Sequence, residues 1–134
     1  MIADFKTGAS FKQVFIVSDK LYSGFIDLFN DKNPLHTDEQ FAINKGFTGR
    51  VMHGNILNGF LSYFVGECLP VKNVIIHSQE IQYKLPVYLN DSLQFEAVIS
   101  GVFESVSAVE FKFTFKNAAL KVVSKGKIQI GILS

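Results

Sequence analysis

The chain has 134 residues, 48% of them hydrophobic, with 14 Phe and a single Cys; 13 Lys and Arg against 12 Asp and Glu leave a formal charge of +1. That composition predicts one domain over residues 1–134 with a core large enough to need no staple, and it excludes intrinsic disorder, an intrachain disulfide and a multi-cysteine metal site. The balanced charge gives no broad field for nucleic acid or an anionic membrane. Met1–Thr7 carries Asp4 and lacks the apolar run of a signal peptide. Ile56–Leu69 is too short, and too broken by Asn58, Ser62 and Glu67, to span a bilayer. A cytoplasmic protein that binds something small is the expectation.

In chain order, Phe11–Val17 is β-rich and predicts a first strand. Ser18 is a good N-cap for a helix on which Leu21, Tyr22, Phe25, Ile26 and Phe29 recur at helical spacing. Pro34 stops that helix, because it pushes residue 33 towards extended geometry. Thr37 with Gln40 reads as a capping box opening a second short helix, and Gly46 reads as its stop. Asn55–Leu69 predicts a third, mostly apolar helix that ends at Pro70. Its exception is a stripe of Asn55, Asn58, Ser62 and Gly66, three to four residues apart and so on one face.

The second half reads as strands: Val74–Leu85, Gln94–Ser100, Glu110–Lys116 and Leu120–Ile130. Phe111, Phe113 and Phe115 alternate with Lys112, Thr114 and Lys116, the clearest period of two in the chain. Asn90-Asp91, Ser100-Gly101 and Asn117 read as turns. Strands joined by tight turns imply an antiparallel sheet. One apolar helix buried against one curved sheet gives an α+β layering, the hot-dog arrangement.

Chemistry concentrates in two segments. In Asn30-Asp31-Lys32-Asn33-Pro34-Leu35-His36, a helix would set Asp31 and His36 about 140° apart. A turn built on Asn33-Pro34 would instead bring them together. A carboxylate beside an imidazole can hold a water and move its protons near neutral pH. The same residues are also ordinary turn-formers. The second segment is Gly49-Arg50-Val51-Met52-His53-Gly54-Asn55, leading straight into the third helix. Backbone N–H groups at a helix start carry partial positive charge, so the Gly54 N–H could stabilise an oxyanion. Gly54 could equally serve only to let the chain turn tightly there.

Other candidates rank below these. His53 could touch a pocket or be structural, and His77 falls in a strand as a packed or edge residue. No His-x-x-x-His spacing supports a metal. Cys68 reads as core, and Ser62 lacks the glycines of a nucleophile elbow. Arg50 and Lys84 read as surface charges, although either could meet a phosphate. No glycine-rich nucleotide loop is present.

Asp31-x-Asn33-Pro34-Leu35-His36, with Ala42, Gly46-Phe47, Gly49-Arg50-Val51, His53-Gly54, Leu69-Pro70 and Leu85-Pro86-Val87 before Asn90-Asp91, resembles the MaoC-like (R)-specific enoyl-CoA hydratases over residues 10 to 130. The resemblance implies a hot-dog fold, a homodimer, and reversible syn addition of water to a trans-2-enoyl thioester. It implies that Asp31 and His36 hold the water, that the Gly54 backbone is the oxyanion donor, and that Asn33 shapes the turn. It implies no cofactor beyond the CoA or acyl-carrier-protein thioester that is the substrate. His53, Asn55, Asn58 and Ser62 are the further substrate-contact candidates. Phe29, Asn30 and Asn55 depart from the family pattern: a small residue and Gly commonly precede the Asp, and an apolar residue commonly follows His-Gly. Asn30 can take the left-handed conformation that Gly supplies, whereas Phe29 could narrow the site. The polar stripe would suit a short or hydroxylated acyl group if it floors the pocket, and has no such meaning if it faces solvent or a second subunit. Two other readings remain: a hot-dog thioesterase, although Asn55–Gly59 holds no acid, and a non-catalytic acyl-thioester-binding subunit.

Overall fold

A computed structural model describes residues 1–134. Its strands are β1 (Ser10–Ile16), β2 (Val74–Tyr83), β3 (Ser92–Phe103), β4 (Ala108–Lys116) and β5 (Val122–Ile132); its helices are α1 (Asp19–Phe29), α2 (Pro34–Thr37), α3 (Glu39–Asn44) and α4 (Asn55–Tyr63). The strands form one antiparallel sheet in the order β1-β3-β4-β5-β2. The architecture is α+β, as the hydrophobic patterning implied.

α4 is the helix against which the sheet packs. Ile56, Leu57, Phe60 and Leu61 are buried on it, and a π-helical turn over Phe64–Cys68 carries the coil one turn further. Phe64 packs 5.0 Å from Phe95 on β3 and 5.3 Å, edge to face, from Phe111 on β4. Phe15 on β1 stacks on Phe60 at 4.4 Å. Such ring pairs add specific geometry to a large area removed from water. The alternation of β4 is realised: Phe111, Phe113 and Phe115 are buried, Lys112 is exposed, and Thr114 and Lys116 are half-buried.

Tight backbone contact closes the β2 side of the sheet. A side chain on Gly126 of β5 would collide with the carbonyl of Glu80 on β2 and with the Phe113 ring, so only glycine fits there. β2 is an edge strand. A register shift between Ile76 and Ser78 leaves His77 unpaired in the ladder, with its ring against Gly131. No helix is long and apolar enough to cross a membrane.

Several boundaries differ from those the sequence suggested. Ser100-Gly101 is not a turn: β3 runs on to Phe103 through an irregularity between Ile99 and Gly101, and the chain reverses at Glu104–Ser107. A glycine in a strand can mark a bulge as readily as a turn. Thr37 does not open a helix. It is the last residue of α2, its hydroxyl donating to the Lys32 and Asn33 carbonyls, while Asp38 caps α3 by accepting from the Phe41 N–H at 3.1 Å. Pro34 begins a helix as well as following one, because its missing N–H costs nothing at the first helical position. β2 stops at Tyr83, two residues short of Leu85, and β5 starts at Val122 because Leu120 is left-handed.

Candidate active site

Asp31 and His36 are brought together by a sequence of local caps. α1 ends on Asn30, which is left-handed (φ 57°, ψ 24°) and whose N–H donates to the Ile26 carbonyl. Asparagine here does what the resemblance asked of glycine. The Asp31 carboxylate then accepts the Asn33 N–H at 3.3 Å, and the Asn33 side chain accepts the Leu35 N–H at 3.0 Å. These bonds fold the chain into α2, so that His36 comes round to face Asp31. Asn33 thus spends its side-chain oxygen shaping the turn and lines neither of the two cavities described below.

The His36 ring is held on both sides. Its Nδ1 lies 2.7 Å from the Val51 carbonyl oxygen. A carbonyl only accepts, so Nδ1 carries the hydrogen, and in the neutral ring Nε2 presents a lone pair. That Nε2 lies 4.0 Å from Asp31 Oδ2, a gap that one water can bridge with hydrogen bonds to both. The Tyr22 hydroxyl donates to the His36 carbonyl at 2.6 Å, and Arg50 braces Tyr22 from 3.3 Å. Arg50 also pairs with Glu39 at 3.5 Å. Its guanidinium is therefore committed within the fold, and Lys84 is the basic residue that lines the cavity.

His53 is 3% exposed. Its Nε2 donates to the Asp31 carbonyl at 2.9 Å, and its ring stacks on His36 at 4.0 Å and 30°. Phe25 approaches the same ring at 4.6 Å. His53 Nδ1 is buried without a partner. Asp31, His36 and His53 each offer an atom within 4.8 Å of the others, close enough to raise the question of a metal. The two imidazoles, however, lie nearly parallel and one above the other. Rings stacked in this way are poorly placed for two in-plane lone pairs to meet at one tetrahedral ion. The arrangement suits a water held between Asp31 and His36.

Gly54 sits at the N-terminus of α4 and lines a cavity of about 500 Å³ together with Asp31, His36, His53 and Asn55. Its N–H has no acceptor within the chain. A Cβ at this position would come within 2.8 Å of the Tyr83 ring, so glycine leaves the backbone open and lets Tyr83 close over it. The loop before Gly54 is pinned at two points: the Val51 N–H bonds the Leu35 carbonyl at 3.0 Å, and the Met52 N–H bonds the Val87 carbonyl at 2.8 Å. A second, more apolar cavity of about 1150 Å³ runs between α1 and α4, and Asp31, Asn55 and Ile56 line both. Phe29 lines this second cavity, packed 4.9 Å from Phe25, and does not narrow the first.

The stripe on α4 divides. Asn55 and Asn58 reach the cavities, whereas Ser62 is exposed and lines neither. Burial pushes the Cys68 thiol up from its ordinary value, against a smaller pull from nearby Lys72, which leaves little thiolate for nucleophilic work. Two contributors escaped the sequence reading. The Val51 carbonyl has no side-chain signature, and nothing in the residues around Tyr83 marks it out in the sequence.

The MaoC like domain profile matches residues 11–120. An (R)-specific enoyl-CoA hydratase of Rhodospirillum rubrum is 30% identical over 127 residues, 95% of this chain and 88% of that one. Another protein of that name, from Aeromonas caviae, is 28% identical over 110 residues, 81% of this chain and 82% of its own. The solved (R)-hydratase from A. caviae involved in PHA biosynthesis superposes with a TM-score of 0.88 at 23% identity, over 96% of this chain and 98% of that one, and so shares the hot-dog fold. On the extent of these matches, the chain belongs to the MaoC-like domain family.

Proposed function

We propose that this protein adds water reversibly across the double bond of trans-2-enoyl thioesters to give (R)-3-hydroxyacyl thioesters, acting as one MaoC-like unit over residues 1–134. The observation that carries the proposal is the facing pair: an imidazole lone pair at His36 Nε2 and a carboxylate at Asp31, 4.0 Å apart, beside an uncommitted backbone N–H at Gly54. The names of the R. rubrum and A. caviae relatives point to the same chemistry.

Water sits between Asp31 and His36. As its oxygen bonds to C3, its proton passes to the pair, and the π electrons shift towards the thioester oxygen. The Gly54 N–H at the start of α4 meets that developing oxyanion. A proton returned from the pair to C2, on the face where oxygen added, completes syn addition. Water, two side chains and one backbone N–H suffice for these steps, with CoA or a carrier protein serving only as the thioester's carrier. Two copies of the chain joined at sheet edges are the proposed assembly.

The test follows the loss of conjugated thioester absorbance with a short trans-2-enoyl-CoA, wild type beside Asp31→Asn. Positioned acid–base groups contribute about 10²- to 10⁴-fold, so the variant should lose that much turnover. Equal rates in the two proteins overturn the assignment of Asp31. Free thiol release from a saturated acyl-CoA would replace hydration with thioesterase activity.

A further inference from the structure

Four polar side chains meet where α4 begins and β2 ends. Asn58 donates to the Asn55 side-chain oxygen at 2.8 Å and to the Tyr83 hydroxyl oxygen at 3.3 Å, and accepts from the Gln79 amide. Both hydrogens of the Asn58 amide are thereby used. The Asn55 amide hydrogens are not, because its oxygen alone is engaged, and the Tyr83 hydroxyl accepts without donating. Burial raises the Tyr83 phenol above its ordinary value, against a smaller opposing effect from the Asn58 hydrogen bond, so its proton stays on. Asn55 and Tyr83 line the cavity that holds Gly54, while Asn55 and Asn58 line the second cavity. Two uncommitted donors therefore stand beside Gly54, Asn55 as the next residue and lining both cavities, Tyr83 with its ring against Gly54 and lining the first.

An alkyl chain passing here would strip water from both donors and return nothing. A chain bearing an oxygen would satisfy them. Asn55 is exposed and Tyr83 50% exposed in the free protein, so it is a bound acyl chain that would cover them, and donors covered without a partner discriminate between ligands more strongly than an apolar wall does. We propose that Asn55 and Tyr83, with Asn58 holding both in place, form a subsite for an uncharged oxygen on the acyl chain, so that the preferred substrate is a short, hydroxylated enoyl thioester. This rests on the hydratase reading above for the position of the thioester at Gly54.

The experiment compares trans-2-hexenoyl-CoA with 5-hydroxy-trans-2-pentenoyl-CoA, in which a hydroxyl replaces the terminal methyl. Wild type should favour the hydroxylated substrate in kcat/KM by about tenfold or more. Asn55→Leu and Tyr83→Phe should each cut that ratio by about tenfold. A cluster that merely braces α4 against β2 would change the melting temperature of the variants and leave the ratio alone. A wild-type ratio at or below unity, or one that neither variant moves, overturns the proposal. If wild type hydrates neither compound, calorimetric binding of the two saturated thioesters gives the ratio instead. Preference for the hydroxyl there upholds the subsite while the hydratase reading falls; equal binding rejects the subsite.

Discussion

The sheet core and the loop region from Phe29 to Gly54 are built on different principles. In the core, position follows from side-chain chemistry: Phe95, Phe111, Phe113 and Phe115 are buried because the strand period aims them at one face, where Phe115 meets Phe60 of α4, Phe95 and Phe111 meet Phe64 of the π-helical turn, and Phe113 packs on Phe95 and Phe115. In the loop region, position follows from backbone groups. His36 is oriented by the Val51 carbonyl, Asp31 is held through its own carbonyl by His53, and Asn30 turns the chain by its left-handed backbone. The first kind of order spreads its energy over many contacts. The second concentrates geometry in a few hydrogen bonds, so one changed side chain there should alter chemistry far more than stability.

The largest expected effect tests that separation directly. His36→Gln should lower hydration turnover by about 10²- to 10⁴-fold. Its melting temperature should stay within a few degrees of wild type, since the ring makes one side-chain hydrogen bond and its surroundings persist. Collapse of the fold in this variant would break the comparison, and unchanged turnover would remove His36 from the site. Phe111→Ala should do the reverse, costing about 3–5 kcal/mol of unfolding free energy for a ring 0% exposed, with activity per folded molecule retained. Denaturant unfolding measures it, and a loss below about 1 kcal/mol would mean the core is less tightly filled than its ring contacts suggest. Smallest is the change at Asn30. Glycine there should be neutral to within about 1 kcal/mol, whereas Val should cost about 1–2 kcal/mol, because a β-branched residue resists the left-handed conformation. Equal stability of the two variants would show that the turn does not depend on that backbone angle.

Legibility in the sequence divides along the same line. The β4 strand could be read from Phe111, Phe113 and Phe115, the α4 helix from its apolar circumference, and the meeting of Asp31 and His36 from a turn at Asn33-Pro34 supported by family resemblance. Ser100-Gly101 misled because a bulge and a turn share the same residues. Thr37 misled because Asp38 beside it is also a capping residue, and only the three-dimensional path decides between them. The anchor of His36 was invisible for a deeper reason. It is a main-chain oxygen fifteen residues away, and every residue type carries one.

That anchor has a consequence for the engineering of this site. The tautomer of His36 is set by the path of the loop and not by the identity of residue 51, which is itself one of the residues lining the cavity. Position 51 can therefore be diversified in a library to reshape the pocket while the instruction to the imidazole passes unchanged from variant to variant. Specificity and acid–base chemistry are written at the same residue in two separate alphabets, one of side chains and one of backbone.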